Sequence, residues 1–495
     1  MLIKKIIQKG LLIVALCQFF LLANAQQILT LDKALEIANS NSPSIKSTLL
    51  SLERSEQSLK ASNAALKSSF SLNVTPISYS KNRSFQDYQS VWNTSESTSS
   101  SGTFTISQPI LPTDGVISLN NNFGWQNNKS ESAGNKVNKS FSNNLYLSVS
   151  QPLFTYNRTK LNLKSLEFDL ENAQLNYAMQ KLNLEKQVTQ MFYNVYFAQM
   201  RLDISKSELE NTQKTYELTK NKVDAGLAAK EELYQADVNL ASAKSTVQNN
   251  QVSLDNTNDD FKQYIGMDIN EEITVMADIK STPVTVDMAK AIEYGQKSRM
   301  ELRQRQISIE TSQFSMIQTK AQNEFKGNMN LSVGIIGTDS HLADIYQTPT
   351  SNPKVSVSFN IPLYDWGEKK ARIAAQEASI ESAKLSLSNQ QIQITLDIRQ
   401  VCRNLKNLVN QIDIAKQNEE NAQRTYEINQ EKYKNGDLTS MDMNLYQTQL
   451  SSKKMSSAQS LIDYKLELLN LKIQSLYDFE KNTPVVPETI INQKK

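Results

Sequence analysis

From Pro152 to Pro283 the chain has no proline and only two glycines, Gly226 and Gly266; from Pro362 to Pro484 it again has only two, Gly367 and Gly436. Proline breaks a helix interior and glycine weakens it, so stretches this long without them favour uninterrupted helix. Glycine is also preferred just past a helix C-terminus, because it accepts the left-handed turn there. Gly226 and Gly436 therefore mark the bends of two long helical hairpins. Their first arms, 155–223 and 368–434, would each extend on the order of 100 Å at about 1.5 Å per residue.

Periodicity supports the hairpins. Leu184, Val188, Met191, Val195, Ala198 and Leu202 begin a strict alternation of four- and three-residue steps that continues through Thr212 and Thr219 to Val223. This is the seam of a coiled coil. Two consecutive four-residue steps meet at Leu184, a stutter that locally unwinds a supercoil, as helices lying side by side around a wide tube require. Polar residues in the seam argue against a simple two-stranded zipper.

The chain is an internal duplication. Thr215-Tyr216-Glu217, Gly226 and Leu240 recur as Thr425-Tyr426-Glu427, Gly436 and Leu450 at an offset of 210, and Gln151-Pro152-Leu153 matches Ile361-Pro362-Leu363. Nearer the start the offset is 257, pairing Ala34-Leu35-Glu36 with Ala291-Ile292-Glu293. The difference is an insertion in the first half at about 75–145. The expected organisation is a signal peptide at 1–25, a first repeat at 26–265, a second at 266–481 and a flexible tail at 482–495.

Each repeat also carries two strand signals. Phe70, Leu72 and Val74, then Leu145, Leu147 and Val149, alternate with small polar residues; Met329, Leu331, Val333 and Ile335, then Val355, Val357 and Phe359, do the same in the second half. Alternation alone fits a half-buried sheet in a soluble domain. Here the opposite face is polar and almost uncharged, as in a barrel with lipid outside and water inside. Four strands cannot close such a barrel, but three chains would supply twelve. The insertion reads as an extended surface loop or an extra hairpin; the count of twelve assumes that its strands stay out of the barrel, and if they joined it each subunit would contribute more than four. Its Ser107-Gln108-Pro109-Ile110 echoes Ser150-Gln151-Pro152-Leu153.

Lys4, Lys5 and Lys9, the apolar run Leu11 to Leu22, and Ala23-Asn24-Ala25 read as a secretory signal with its cleavage site. Leu16 stands where a lipobox before Cys17 would need Gly or Ala, which favours an unacylated product. Beyond the signal no apolar run approaches the roughly 20 residues of a membrane-spanning helix. Lys plus Arg total 53 and Asp plus Glu 51, so loss of the three signal lysines leaves a net charge of −1 and no reason to invoke nucleic acid. Cys402 would then be the sole thiol, best read as a small buried apolar residue.

In this order, signal, helix, strand pair, long hairpin and the same again, with Ser150-Gln151-Pro152-Leu153-Phe154 and Gly226-Leu227 at a hairpin tip, the chain resembles the TolC family of outer-membrane efflux proteins. Tyr264-Ile265-Gly266 and Ser298-Arg299-Met300-Glu301-Leu302 add to the resemblance, which covers nearly the whole mature chain. It implies a mainly α fold with β: a trimeric α-barrel of coiled-coil hairpins continuous with a transmembrane β-barrel of four strands per chain. It implies a homotrimer in outer-membrane lipid, its helical part in the periplasm, with a periplasmic adaptor (membrane fusion) protein and an energised inner-membrane RND or ABC transporter as partners. The expected function is an exit duct for drugs or other small molecules; a type I protein-secretion duct, or a soluble periplasmic coiled-coil scaffold or adaptor, are the alternatives.

The resemblance also implies residue roles. Tyr433 matches a tyrosine that constrains the periplasmic aperture, and Asp442 matches an acidic residue that rings it. Glu232 is the counterpart of Asp442 at offset 210. Leu438 stands where better-known members have Arg, and Leu445 where they have a second Asp, so an Arg-based lock is not carried over. Carboxylates gathered in a ring should titrate above their ordinary values and attract cations; acidic residues in a first helical turn are equally at home for the helix dipole alone. Gly226 and Leu227 at the first tip, and Gly436, Asp437 and Leu438 at the second, are expected to contact the adaptor. His341 falls in a short polar loop, Asp268 to Glu272 lack the pattern of a calcium loop, and no nucleophile-base pair, phosphate loop, cofactor motif or metal-ligand set is evident. An enzyme is not expected.

Overall fold

The computed structural model describes residues 27–87, 90–130, 136–277, 283–435 and 437–485. The signal at 1–25, Gly436 and the chain after Val485 lie outside the described residues. In chain order the elements are β1 (Gln27–Leu29), α1 (Leu31–Asn41), α2 (Pro43–Ala65), β2 (Ser69–Gln86), β3 (Val91–Ile110), β4 (Gly115–Ser130), β5 (Val137–Leu153), α3 (Arg158–Asp224), α4 (Lys230–Ile265) and β6 (Ile273–Val275). The second half follows with α5 (Met288–Ser298), α6 (Met300–Lys320), β7 (Lys326–Asp339), β8 (Thr350–Ser351), β9 (Lys354–Asn360), α7 (Glu368–Asn435), α8 (Ser440–Ser475), β10 (Tyr477–Asp478) and β11 (Thr483–Pro484). The duplication is visible in these bounds: α4 and α8 are both 36 residues long and start 210 apart, and α1 and α5 are both 11 residues long and start 257 apart. Even the caps correspond, since Thr30 caps α1 and Asp287 caps α5.

Contacts divide the chain into two units, each drawing on both repeats. One comprises residues up to 51, 174–303 and from 388 onward; the other comprises 52–173 and 304–387.

The first unit is helical. Leu184, Val188, Val195 and Leu202 on the α3 seam are buried with Leu254, Phe261 and Ile265 of α4 and Ala34 and Ala38 of α1. In the second repeat Ile394, Ile398, Val401 and Leu405 of α7 are buried with Tyr464, Leu468 and Leu471 of α8. The periodic apolar positions of each long arm thus find a partner helix within their own hairpin. Helix α4 ends at Gly266 with φ +74°, where an added Cβ would lie 2.6 Å from the Asn41 carbonyl oxygen. Both the left-handed backbone and the close approach require glycine. Strands β1 and β6 pair in parallel. Arg299 forks onto Glu301, with Nε to Oε2 at 2.9 Å, and also donates to the Gln474 carbonyl at 3.3 Å. Cys402 is partly buried, and burial pushes its thiol up. Strand β11 pairs with β10 and Val485 N donates to Leu476 O at 2.8 Å, so the C-terminal segment is still held past Asn482, where the tail was expected to begin.

The second unit holds one antiparallel sheet in the order β2-β3-β4-β5-β7, with β8 and β9 both on the far side of β7. β8 and β9 keep one register against β7, with Ile335 opposite Ser351 and Ser332 opposite Lys354, so they form one strand interrupted at Asn352-Pro353. The sheet therefore has six strands, not the four expected. The four anticipated from alternation are all present, as β2, β5, β7 and β9, and the insertion adds β3 and β4 between β2 and β5. The count of twelve per trimer rested on the insertion standing apart, and that premise fails. Pro76 is accommodated at a register shift in β2, an edge strand, where a missing donor is tolerated.

The junctions below the sheet are built alike. Gln108 Nε2 donates to the Leu66 and Pro109 carbonyls, both at 2.8 Å; Gln151 Nε2 donates to the Thr113 and Pro152 carbonyls at 2.7 and 2.9 Å. The Ser-Gln-Pro echo is thus a repeated way of ending a strand. The turn after β3 also caps α3: the Asp114 carboxylate accepts from the backbone N–H of Arg158 and Thr159, and Asn157 Nδ2 donates to the Leu111 carbonyl.

Among the described residues no helix is long and apolar enough to cross a membrane.

Candidate functional site

The hairpin tips and the helix faces beside them lie within the first unit. Helix α3 ends in a backbone reversal in which Gly226 N donates to Val223 O at 3.0 Å and Leu227 N to Lys222 O at 2.8 Å. Gly226 has φ +72° and open space where a Cβ would stand, so its conformation is what demands glycine. At the second tip Asp437 N donates to Lys432 O at 3.0 Å, the same bond displaced by 210 residues.

Tyr433 is buried at 4% exposure on α7, among Ala422, Tyr426, Met443 and Leu450, with Leu438 and Leu218 packed against them. Its hydroxyl shares a 2.7 Å hydrogen bond with Oγ1 of Thr219, itself only 1% exposed on α3. Lys222 Nζ donates to the Tyr433 carbonyl at 2.9 Å and stands 4.7 Å from the centre of its ring. Thr219 and Lys222 of the first hairpin thus hold Tyr433 of the second. Burial pushes the Tyr433 phenol up, the Thr219 hydrogen bond works against this, and the Glu232 charge adds to the rise. The group is a neutral hydrogen-bonding phenol at physiological pH.

The two acidic candidates occupy equivalent places, each the third residue of its helix, with different surroundings. Asp442 forms a capping box at the start of α8: its backbone N–H donates to Thr439 Oγ1 at 3.2 Å, and its carboxylate accepts from Thr439 N at 3.1 Å and Thr439 Oγ1 at 2.7 Å. The hydrogen bonds from Thr439 hold the Asp442 carboxyl below its ordinary value. Within one chain that is opposite in sign to the rise expected of a ring. Helix α4 begins after Ala229, which offers no side-chain cap, and the half-buried Glu232 carboxylate has no hydrogen-bond or ion-pair partner among the described residues. Leu227 is 79% exposed, Asp437 is exposed, and Leu445 is exposed too.

The structure therefore brings Tyr433 and Glu232 within electrostatic reach, packs Leu438 into the cluster with Tyr433, and leaves Leu227 and Asp437 at the surface. Thr219 and Lys222 were missed as partners of Tyr433. Thr219 entered only as one of several polar seam positions, and nothing in the sequence singled it out.

In the second unit, His341 proves to have company. Its Nδ1 lies 3.7 Å from Asp339 and 3.8 Å from Asp344, and one ligand atom from each of the three falls within 4.8 Å of the others. Sequence spacing concealed this group, in which His341 is exposed and both aspartates are partly buried, because the turn before Asp344 folds the segment back.

The outer membrane efflux protein family model matches residues 116–267 and 321–472, more than half of the chain and one segment in each repeat. The chain belongs to the outer membrane efflux protein family. Solved structures agree in fold. The Campylobacter jejuni CmeC outer membrane channel aligns with a TM-score of 0.70 at 14% identity, covering 94% of this chain and 88% of that one. The outer membrane protein VceC of Vibrio cholerae aligns at 0.65 and 14% identity, covering 92% and 96%. The Neisseria gonorrhoeae MtrE outer membrane channel, in its open state, aligns at 0.65 and 14% identity, covering 93% and 90%. Curated protein sequences gave no match. The family and its solved neighbours are channel proteins, and the fold is the TolC-like, internally duplicated architecture.

Proposed function

We propose that the chain is the outer-membrane exit duct of a tripartite efflux system, assembled as a homotrimer and exporting drugs or other small molecules. The observation that carries this is the sheet of the second unit. Its cross-strand rows are apolar on one face, as in Phe70, Ile106, Leu119, Leu147 and Val333, and mostly small or polar on the other, as in Ser71, Thr105, Asn120, Tyr146 and Gly334. Its two edges, β2 and β9, have no further partner strand among the described residues. Backbone edges cannot face lipid unpaired, and six strands are too few to close alone, so copies must join edge to edge. A soluble periplasmic scaffold would instead place this apolar face in water.

In such a trimer the tips face the periplasmic partner. Tyr433, held by Thr219 and Lys222, constrains the aperture in place of an Arg-based lock, while Glu232 and Asp442 line it. Gly226, Leu227, Gly436, Asp437 and Leu438 form the adaptor-contact surface, and energy comes from an inner-membrane RND or ABC transporter. The test is removal of the gene: the protein should fractionate with outer membranes, and its loss should raise the accumulation of small amphipathic dyes severalfold. A periplasmic protein whose loss leaves accumulation unchanged would contradict the proposal.

A further inference from the structure

We infer that the inserted β3–β4 hairpin is a structural part of the membrane wall, so that each trimer closes an eighteen-stranded barrel with a wider lumen than four strands per subunit would make; this rests on the trimeric duct proposed above.

Three observations carry it. First, the hairpin is paired along almost its whole length on both sides, Ser69–Gln86 against Val91–Ser107, Ser95–Ile110 against Gly115–Ser130, and Val116–Lys129 against Val137–Ser150. A surface excursion would leave β2 free to pair with β5; here the hairpin separates them.

Second, its side chains continue the two faces of the other strands. Directly opposed residues of an antiparallel pair share a face. Leu72 lies opposite Phe104, which lies opposite Asn121 and then Leu145; Phe70 leads to Ile106, Leu119 and Leu147. The polar face runs unbroken through Asn73, Thr103, Asn122 and Asn144. The apolar face ends in aromatic residues, with Trp125 of β4 opposite Phe141 of β5. Above this the same face turns charged, as Lys81 pairs with Glu96 and Glu96 lies opposite Lys129. From Ile117 to Trp125 the band, interrupted by Asn121, runs about 26 Å along the strand at ~3.3 Å per residue, which is roughly 20 Å of height at the ~35–45° tilt of barrel strands, most of the ~25 Å apolar height of an outer-membrane barrel with its aromatic girdle. A hairpin in water gains nothing from an apolar stripe of that height ending in a girdle.

Third, the hairpin's base is built in. Gln108 ends β3 as Gln151 ends β5, and the turn between β3 and β4 supplies Asp114 to cap α3.

Six strands from each of three copies make eighteen. Barrel diameter grows roughly linearly with strand number, so the lumen is about 1.5-fold wider than with twelve. Its wall is rich in Ser, Thr and Asn within the apolar band, where Lys354, opposite Ser332 in the row of Ser148 and Ser118, adds a positive charge. The barrel therefore places no narrow filter on hydrophilic cargo.

Electron cryo-microscopy of the full chain in lipid nanodiscs tests this, because it reports copy number and strand number separately. Three copies enclosing eighteen strands is the expected result. Three copies enclosing twelve, with the hairpin outside, overturns the widened barrel and leaves the duct standing; any other copy number overturns the duct and this inference with it. An independent readout uses Phe104→Cys and Thr105→Cys in a Cys402→Ser background. In intact outer membranes a water-soluble maleimide should label residue 105 at least tenfold faster than residue 104. Equal rates would overturn the assignment of the hairpin to the wall.

Discussion

The two repeats share a backbone and differ in what their side chains do with it. At the tips both hairpins reverse through the same bond, Leu227 N to Lys222 O in the first and Asp437 N to Lys432 O in the second. The second repeat then places a tyrosine at 433 where the first has Val223, and a capping Thr439 where the first has Ala229. One carboxylate, Asp442, is consumed in holding its own helix start, while its counterpart Glu232 has no such partner among the described residues. In the sheet the asymmetry runs the other way, since the first repeat has gained two strands and the second has none to match. Turn geometry fixed by backbone sterics survives duplication, whereas polar side chains and strand number diverge without disturbing it.

That contrast can be broken or sharpened at several points. The largest effects are expected in the sheet. Phe104→Arg in the inserted hairpin and Leu147→Arg in a shared strand should each destabilise the assembled barrel by about 2–4 kcal/mol near mid-membrane, whereas Thr105→Arg on the polar face should cost far less. Urea unfolding in lipid vesicles measures this; a silent Phe104→Arg beside a damaging Leu147→Arg would separate the inserted hairpin from the wall.

Next comes the contact between hairpins. Tyr433→Phe keeps the packing but loses the bond to Thr219, which is worth about 1 kcal/mol, and single-channel conductance in planar bilayers should rise at least twofold. Val223→Phe at the equivalent position of the first repeat should leave conductance unchanged, and equal effects of the two would erase the proposed division of labour.

The caps offer finer tests. Thr439→Ala should cost the start of α8 about 1 kcal/mol, seen as roughly fivefold faster hydrogen exchange at the Asp442 and Met443 amides. Ala229→Thr should slow exchange at the start of α4 by about twofold, by giving Glu232 the partner that Asp442 already has.

The smallest effect is a pH dependence. The folded-state value of Asp442 lies below its ordinary 3.8, so its capping contribution is complete above that value and is lost as pH falls through the lowered one. Exchange at the start of α8 should therefore accelerate only in that acid window, and Asp442→Asn should abolish the dependence.

Much of the fold was legible because it is written in periodic and punctuating residues. The 4-3 seam, Gly226, Gly266 and the Ser-Gln-Pro strand ends each impose a local geometry that needs no knowledge of distant contacts. The insertion was harder. Near its start β3 has a polar run from Asn93 to Ser99 that shows no apolar alternation, since this part lies beyond the apolar band, and only its register against its neighbours reveals the face it shares. The candidate site was legible in part. Tyr433 and the acidic pair followed from tip spacing, but the partners of Tyr433 come from the other hairpin, more than 200 residues away, and no local pattern pairs Thr219 with it. The capping box at Thr439 and Asp442 was open to sequence as a Thr-x-x-Asp pattern, and its local hydrogen bonds pull the Asp442 carboxyl down where a shared ring of charge would push it up.

The most direct test of the account is the mass of the mature protein extracted from outer membranes in mild detergent, by native mass spectrometry. The open-edged sheet predicts that copies join, and the proposed duct predicts that there are three, stable until heated. A water-extractable monomer would contradict it, because an apolar sheet face with two open edges would then have to persist in water.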